Sequence, residues 1–230
     1  MPVINCEVIE IAQLTEFVAK VILKPSEPFE FIAGQYIEVI LNENDARPFS
    51  IANSPIEKGI IELHIGSAVG DDYTSAALDF LKNNQQVQLK GPSGNAGLQA
   101  NFDKPTILLA GGTGFSYIKS IADTMLATNL TSPVYFYWGL RNEDAAYQLE
   151  EWQAKQTEQF HFIPVIENPT ADWKGRNGNV IDAVLADFPN LAEYNVYSAG
   201  RFEMVGKARD EFTRVGLDKA NMFADAFAFI

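Results

Sequence analysis

Cysteine is nearly absent from this 230-residue chain. Cys6 is the only one, which excludes an internal disulfide, a C-x-x-C redox pair and an iron–sulfur cluster held by cysteines of this chain. Basic residues are also scarce: 17 Lys and Arg stand against 30 Asp and Glu, for a formal net charge of −13. Such a surface offers no broad attraction to nucleic acid or anionic lipid, so an anionic ligand must be held by local arginines and backbone amides. Long apolar runs are missing as well. No stretch approaches the ~18 continuous apolar residues of a membrane span, and Met1 to Glu7 lacks the basic start and apolar run of a signal peptide. Together these absences predict a soluble, cytoplasmic protein with neither nucleic acid nor membrane as a partner.

The remaining composition is that of an ordinary globular protein, 47% hydrophobic and 20% charged, long enough for one or two domains. Up to about residue 98 the pattern is that of closely spaced strands. Val3 to Ile11 and Val18 to Leu23 read as an antiparallel pair joined through Gln13 to Glu16. Tyr36 to Ile40, Phe49 to Ala52, Ile60 to Ile65 and Gln86 to Lys90 continue it, with one helix over Ala76 to Leu81. This spacing favours a small antiparallel barrel. Gly91 to Gly97 is either a hinge or a ligand loop of the first domain. Within the barrel, proline fixes the backbone at Arg47-Pro48-Phe49-Ser50, and alternation puts Arg47 and Phe49 on one face and Ser50 on the other. An edge-strand proline beside a solvated arginine accounts for the same residues.

From about residue 99 strands and helices alternate. Strands over Thr106 to Ala110, Val134 to Trp138, Phe160 to Ile166 and Asn195 to Ala199 are expected. The helices follow Gly114, span Glu143 to Lys155, start at Val180 after an Asn179 cap, and span Phe202 to Arg214. This is an α/β domain with a mainly parallel sheet.

In Leu108-Leu109-Ala110-Gly111-Gly112-Thr113-Gly114-Phe115-Ser116, a buried strand breaks into a glycine-rich turn before a helix bearing Ile118, Ile121, Met125 and Leu126. Gly111, Gly112 and Gly114 permit positive φ and close approach of a ligand, and the first helical turn favours an anion such as a pyrophosphate. An ordinary β-to-α turn would also use these glycines, and the stretch departs from G-x-G-x-x-G. Gly139-Leu140-Arg141 and Ala199-Gly200-Arg201 fall at equivalent strand ends, where open α/β sheets bind ligands, and three such loops favour a nucleotide site. The terminal Phe223, Phe227 and Phe229 alternate onto one face, either as a last core strand or as a flat surface for a conjugated ring.

Arg47 to Ser50, Ala110 to Gly114, Tyr137-Trp138-Gly139, Ala199 to Met204 and Asp225-Ala226-Phe227 together resemble the ferredoxin-NADP reductase superfamily. More narrowly, the set is similar to the bacterial NAD(P)H:flavin oxidoreductases of the Fre and LuxG type. The resemblance implies a two-domain β + α/β protein, with a flavin-binding antiparallel barrel over 1–98 and an NAD(P)-binding parallel-sheet domain over 99–230. It implies hydride transfer from the nicotinamide of NADH or NADPH to N5 of riboflavin, FMN or FAD, with no metal or iron–sulfur cluster.

Under the same resemblance, Ser50 is the catalytic hydroxyl near N5. Arg47, Pro48, Phe49, His64, Ile65, Gly66, Ser116 and Phe227 border the flavin, with His64 a satisfied strand residue and not a proton donor. Gly111, Gly112, Thr113, Gly114, Phe115, Gly139, Arg141, Gly200, Arg201, Phe202 and Met204 hold the nucleotide. The segment Gly70 to Leu78, with Asp71 and Asp72, departs from the phosphate-binding segment of members that keep FAD, which implies a diffusible flavin and a reduced product delivered to a monooxygenase or luciferase. Ala199 stands where many relatives have Cys, so no thiol acts there. Arg141 and Arg201 suit a 2′-phosphate while Glu143 and Glu203 suit its absence, and nucleotide preference stays open. Two other functions are compatible with the sequence: a reductase with tightly held flavin serving a protein acceptor, and a noncatalytic nucleotide-binding subunit.

Overall fold

Aliphatic residues, at alternate positions along β5 and β6, build the inner face of the first sheet. The protein is described here by a computed structural model covering residues 1–67, 72–100 and 103–230. Its first half contains β1 (Val3–Thr15), β2 (Val18–Pro25), β3 (Tyr36–Asn42), β4 (Asp45–Ser50), β5 (Ile61–Gly66), α1 (Asp72–Asn83) and β6 (Gln86–Ser93). The strands form an antiparallel sheet in the order β4-β3-β6-β1-β2-β5. The two edge strands meet, and Ala52 N–H donates to the Glu62 carbonyl at 2.8 Å, which curls the sheet toward a closed barrel. Val21, Leu23, Ile37, Val39, Leu63, Ile65 and Leu89 fill it, and α1 adds Ala77, Leu78 and Leu81. Alternation on β5 puts Leu63 and Ile65 inside and leaves Glu62, His64 and Gly66 on the opposite face.

The second half contains β7 (Thr106–Gly111), α2 (Phe115–Leu126), β8 (Val134–Leu140), α3 (Leu149–Ala154), β9 (Phe160–Ile166), β10 (Arg176–Asn177), α4 (Val180–Asp187), β11 (Asn195–Ala199), α5 (Phe202–Arg214) and β12 (Met222–Phe223). All six strands run parallel in the order β10-β9-β8-β7-β11-β12. The chain leaves β7 toward β8 on one side and returns to β11 on the other, so the topological switch lies between β7 and β11. α2 covers one face of the sheet with Ile118, Ile121, Ala122 and Met125, and α4 and α5 cover the other with Ile181, Val184, Ala208 and Phe212.

Most expected elements form, and several differ in their bounds. The β1–β2 connection is shorter than Gln13 to Glu16 because β1 continues to Thr15, and β4 begins at Asp45 and ends at Ser50. The helix expected over Glu143 to Lys155 is broken into a 3-10 turn at Glu143–Ala145 and the short α3. Gln148 adopts a left-handed φ of 57°, and the Glu143 carboxylate leaves the helix path to accept from Thr170 N and Oγ1 at 2.7 and 2.8 Å. The terminal strand stops at Phe223 and gives way to a 3-10 turn, Asp225–Ala228, so the three phenylalanines do not share a face. Phe223 stacks on Tyr197, Phe227 lies under Arg209, and Phe229 stacks on Phe202. The segment Gly91 to Gly97, a hinge or a ligand loop by sequence, is bonded to both halves: Gln35 Nε2 donates to Gly94 O at 3.2 Å, and Tyr117 Oη donates to Ala96 O at 2.5 Å. Gly70 and Asp71, part of the segment that departs from FAD-retaining relatives, lie outside the described residues.

Candidate active site

Each strand of the second sheet delivers a loop at its carboxyl end, and the barrel presents β4 and β5 to the same place. The result is a cleft of about 1120 Å³ lined by Pro48, Phe49, Ser50 and Gly66 from the barrel and by Gly111 to Gly114, Gly139, Arg141 and Gly200 to Met204 from the sheet. The two halves meet at the cleft wall, where a Cβ on Gly66 would stand 3.0 Å from Thr113 Cγ2.

The glycines of the β7 loop serve different purposes. Only Gly112 has positive φ, at +53°, and nothing lies within 4 Å of where its side chain would project, so the space beside its Cα is open to a ligand. Gly111 and Gly114 have φ of −119° and −55°. They are needed for packing: a Cβ on Gly111 would stand 2.4 Å from Met204 Sδ, and one on Gly114 2.3 Å from Ala199 O. Gly139 packs likewise against Val180, with a Cβ 2.8 Å from the Val180 Cβ. Thus the expectation of positive φ holds for Gly112 and fails for its neighbours, which carry the loop's approach to β11 and α5.

Two hydroxyls in the cleft wall, Ser116 Oγ and Ser198 Oγ, are buried and have no hydrogen-bond partner. Unpartnered buried polar atoms call for an explanation, and a polyoxygenated ligand supplies one. Those hydroxyls and the open space beside Gly112 fit a dinucleotide and a flavin. Asp225 also lines the cleft, where burial pushes its carboxyl up to about 6 although the Ala96 N–H bond pulls it down. Among the described residues no group of three or more His, Cys, Asp or Glu side chains is placed to hold a metal ion, and no helix is long and apolar enough to cross a membrane.

The cleft gathers Pro48, Phe49, Ser50, His64, Gly66 and Ser116 of the expected flavin residues. It also gathers Gly111, Gly112, Thr113, Gly114, Gly139, Arg141, Gly200, Arg201, Phe202 and Met204 of the expected nucleotide residues. Four expected residues are not brought to it. The Arg47 guanidinium is taken up by Asp45 at 2.6 Å, by the Tyr73 carbonyl and by the Tyr73 ring. Ile65 points into the barrel core, and Phe115 is buried among Phe136, Trp138, Tyr147 and Trp152. Phe227 turns away with the terminal 3-10 turn onto Val205 and Arg209. His64 belongs to the cleft wall through its strand, yet its imidazole has no exposed surface.

Phe17, Thr74, Glu167, Asn179, Ser198, Lys207 and Asp225 also line the cleft, beyond the binding residues expected from the sequence. Glu167 and Ser198 follow from the strand-end rule that found Arg141; Phe17 and Thr74 depend on how the barrel curls and carry no local signal.

Residues 5–97 match the family described as oxidoreductase FAD-binding domain, and residues 108–210 that described as oxidoreductase NAD-binding domain. The chain is 43% identical to an NAD(P)H-flavin reductase of Vibrio harveyi and 41% identical to one of Aliivibrio fischeri. Each alignment spans 235 residues and covers 99% of both chains. A solved ferredoxin reductase in carbazole 1,9a-dioxygenase superposes with a TM-score of 0.86 at 23% identity, covering 99% of this chain and 70% of that one, which shows a shared fold.

Proposed function

Because the chain belongs to the NAD(P)H-flavin reductase family, we propose that its cleft brings NADH or NADPH against a diffusible flavin for hydride transfer from nicotinamide C4 to flavin N5. We place the boundary between a flavin-binding unit and a nucleotide-binding unit at 98/99. The observation that carries this reading is one cleft in which Ser50 and Gly66 of the barrel face the open space beside Gly112 and the unpartnered Ser116 and Ser198 hydroxyls. When bound, the nucleotide supplies the hydride and the flavin the ring that accepts it. The chain supplies orientation and hydrogen bonds. Ser50 Oγ is the donor for the accepting edge, the Gly111 to Gly114 backbone and the Ser116 and Ser198 hydroxyls hold the nucleotide, and Pro48 and Phe49 wall the flavin.

Arg47 is left out of this assignment because Asp45 occupies its guanidinium. A flavin retained without that phosphate contact is free to exchange, and the reduced product serves a flavin-dependent monooxygenase or a luciferase. Cys6 as a lone buried thiol suits a reducing cytoplasm.

The test is oxidation of NADH and of NADPH by the purified chain with riboflavin, FMN and FAD each added in turn. A colourless protein that oxidises nucleotide only when flavin is supplied is the expected result. Stoichiometric yellow flavin on purification would replace it with a tightly flavinylated reductase, and no oxidation with any flavin would leave a nucleotide-binding subunit.

A further inference from the structure

The nucleotide loop is braced from beneath by aromatic residues that reach back to the barrel. Trp138 Nε1–H donates to the Gly112 carbonyl at 3.0 Å. The Trp138 ring lies 4.2 Å from that of Phe115, the first residue of α2. Onto Phe115 the barrel inserts His64, with ring centroids 6.1 Å apart and planes 17° from parallel, and Tyr147 sets its edge against both rings at 5.3 and 5.0 Å.

Both nitrogens of His64 are engaged. Nε2 lies 2.7 Å from Glu62 Oε1, and Nδ1 lies 3.3 Å from Tyr147 Oη. Burial lowers the imidazole pKa against the opposing pull of Glu62, so the ring is neutral near pH 7. Nε2–H then donates to the carboxylate and Nδ1 accepts from the tyrosine hydroxyl. Glu62 is fixed in turn by Lys119, whose Nζ is 3.6 Å away, 3.2 Å from Asp123 and 3.3 Å from the Ala52 carbonyl to which it donates. Phe115 and Lys119 are one turn apart on α2, and Glu62 and His64 are alternate residues on the outer face of β5. Two successive turns of the helix are therefore seated on two successive outward positions of the strand. Ser120 Oγ, donating to Asn53 O at 2.7 Å, adds a third point.

We propose that His64, locked by Glu62 and Lys119, is a positioning residue of the reaction: it transmits the placement of the barrel strand to the nucleotide loop through Phe115 and Trp138. The inference rests on the functional reading above. β5 ends at Gly66 in the cleft wall, and α2 begins where the glycine loop ends, so this contact fixes the distance between the two binding halves. Hydride transfer is sensitive to that distance, since a misplacement of about 1 Å can cost up to about a hundredfold in rate.

The experiment measures two things in the full chain for His64→Ala, Glu62→Gln, Lys119→Met and Lys119→Arg. The first is amide hydrogen exchange at residues 112–115 without ligands. The second is steady-state kinetics with flavin affinity determined separately. Loop exchange is expected to rise about tenfold in His64→Ala and Lys119→Met, with KM for NAD(P)H raised, kcat lowered about tenfold and flavin affinity unchanged, while Lys119→Arg restores most of each. If His64→Ala fails to fold, Glu62→Gln, which keeps the shape and removes the charge, carries the same comparison. Unchanged loop exchange in folded variants overturns the coupling. Equal losses for flavin and nucleotide overturn it too, in favour of a general packing role. A wild-type chain without flavin-dependent oxidation would overturn the functional reading and the catalytic half of this inference, a result distinct from either.

Discussion

Gly114 lies so close to the main chain of Ala199 that a Cβ on it would stand 2.3 Å from the Ala199 carbonyl oxygen and 2.8 Å from Gly200 N. The contact joins the loops on either side of the topological switch, and the atoms opposing a side chain are backbone atoms that cannot rotate away. Gly114→Ala should therefore destabilise the protein by about 1–3 kcal/mol, as overpacking does. Gly112 is the opposite case, with φ of +53° and empty space around it. Gly112→Val sets a β-branched residue at a left-handed φ, at a cost of about 1–3 kcal/mol, but it meets no atom of the sheet or core and fills the approach to the loop, so its distinguishing effect should be loss of NAD(P)H binding. Thermal melts and nucleotide titrations of the two variants separate these outcomes; normal NAD(P)H affinity in Gly112→Val would remove the loop from the site.

The contrast shows what the sequence made legible. A strand running into Gly111-Gly112-Thr113-Gly114 locates the loop, and the alternation of strands and helices locates Gly139-Leu140-Arg141 and Ala199-Gly200-Arg201 beside it. Which glycine faces ligand and which faces Met204 or Ala199 is decided by segments far apart in the chain. The same applies to Glu62 and His64: alternation puts them on one face of a strand, but only the docking of α2 makes that face buried. The pattern of Phe223 to Phe229 is compatible with a strand, but β11 offers pairing only as far as Phe223, and Phe227 falls in the 3-10 turn beyond it. Arg47 meets Asp45, two residues away along the same strand, and spacing alone does not choose between a carboxylate and a ligand.

Ser50 ends β4 at the cleft and pairs in register with Tyr36. Its hydroxyl can be deleted without opening the barrel core, so Ser50→Ala should melt with the wild type. If the hydroxyl donates to the reacting edge of the flavin, the loss of one such donor lowers hydride transfer by about a hundred- to a thousandfold. Single-turnover oxidation of NAD(P)H under saturating flavin measures this step, and an unchanged rate would remove Ser50 from the mechanism.

Cys6 is fully buried in the barrel, and burial pushes its thiol up to about 12. The thiolate is the reactive form, so the native protein should resist thiol reagents at about pH 8. One equivalent should react after denaturation, and the slow rate under native conditions should report opening of the barrel. Rapid stoichiometric labelling of the folded protein would show β1 to be loosely held.

Asp225 provides a test by pH. Its side chain lies in the cleft, with Oδ1 3.0 Å from where a Cβ on Gly94 would stand. Burial raises its pKa from 3.8 to about 6, partly countered by the Ala96 N–H bond. The folded state therefore holds this proton more tightly than the unfolded chain between those values. Stability follows the difference in bound protons, so the contribution of Asp225 falls as pH rises through this window and remains unfavourable above it. Asp225→Asn keeps the shape and an acceptor for Ala96 while removing the ionisation. The variant should match the wild type at about pH 4 and melt higher at about pH 8, with the gap opening between. Less negative charge in the cleft should also tighten NAD(P)H binding at the higher pH. Melting curves across that range decide the point: a gap that stays constant, or one that favours the wild type at high pH, would mean that the Asp225 carboxylate is ionised in the cleft without cost.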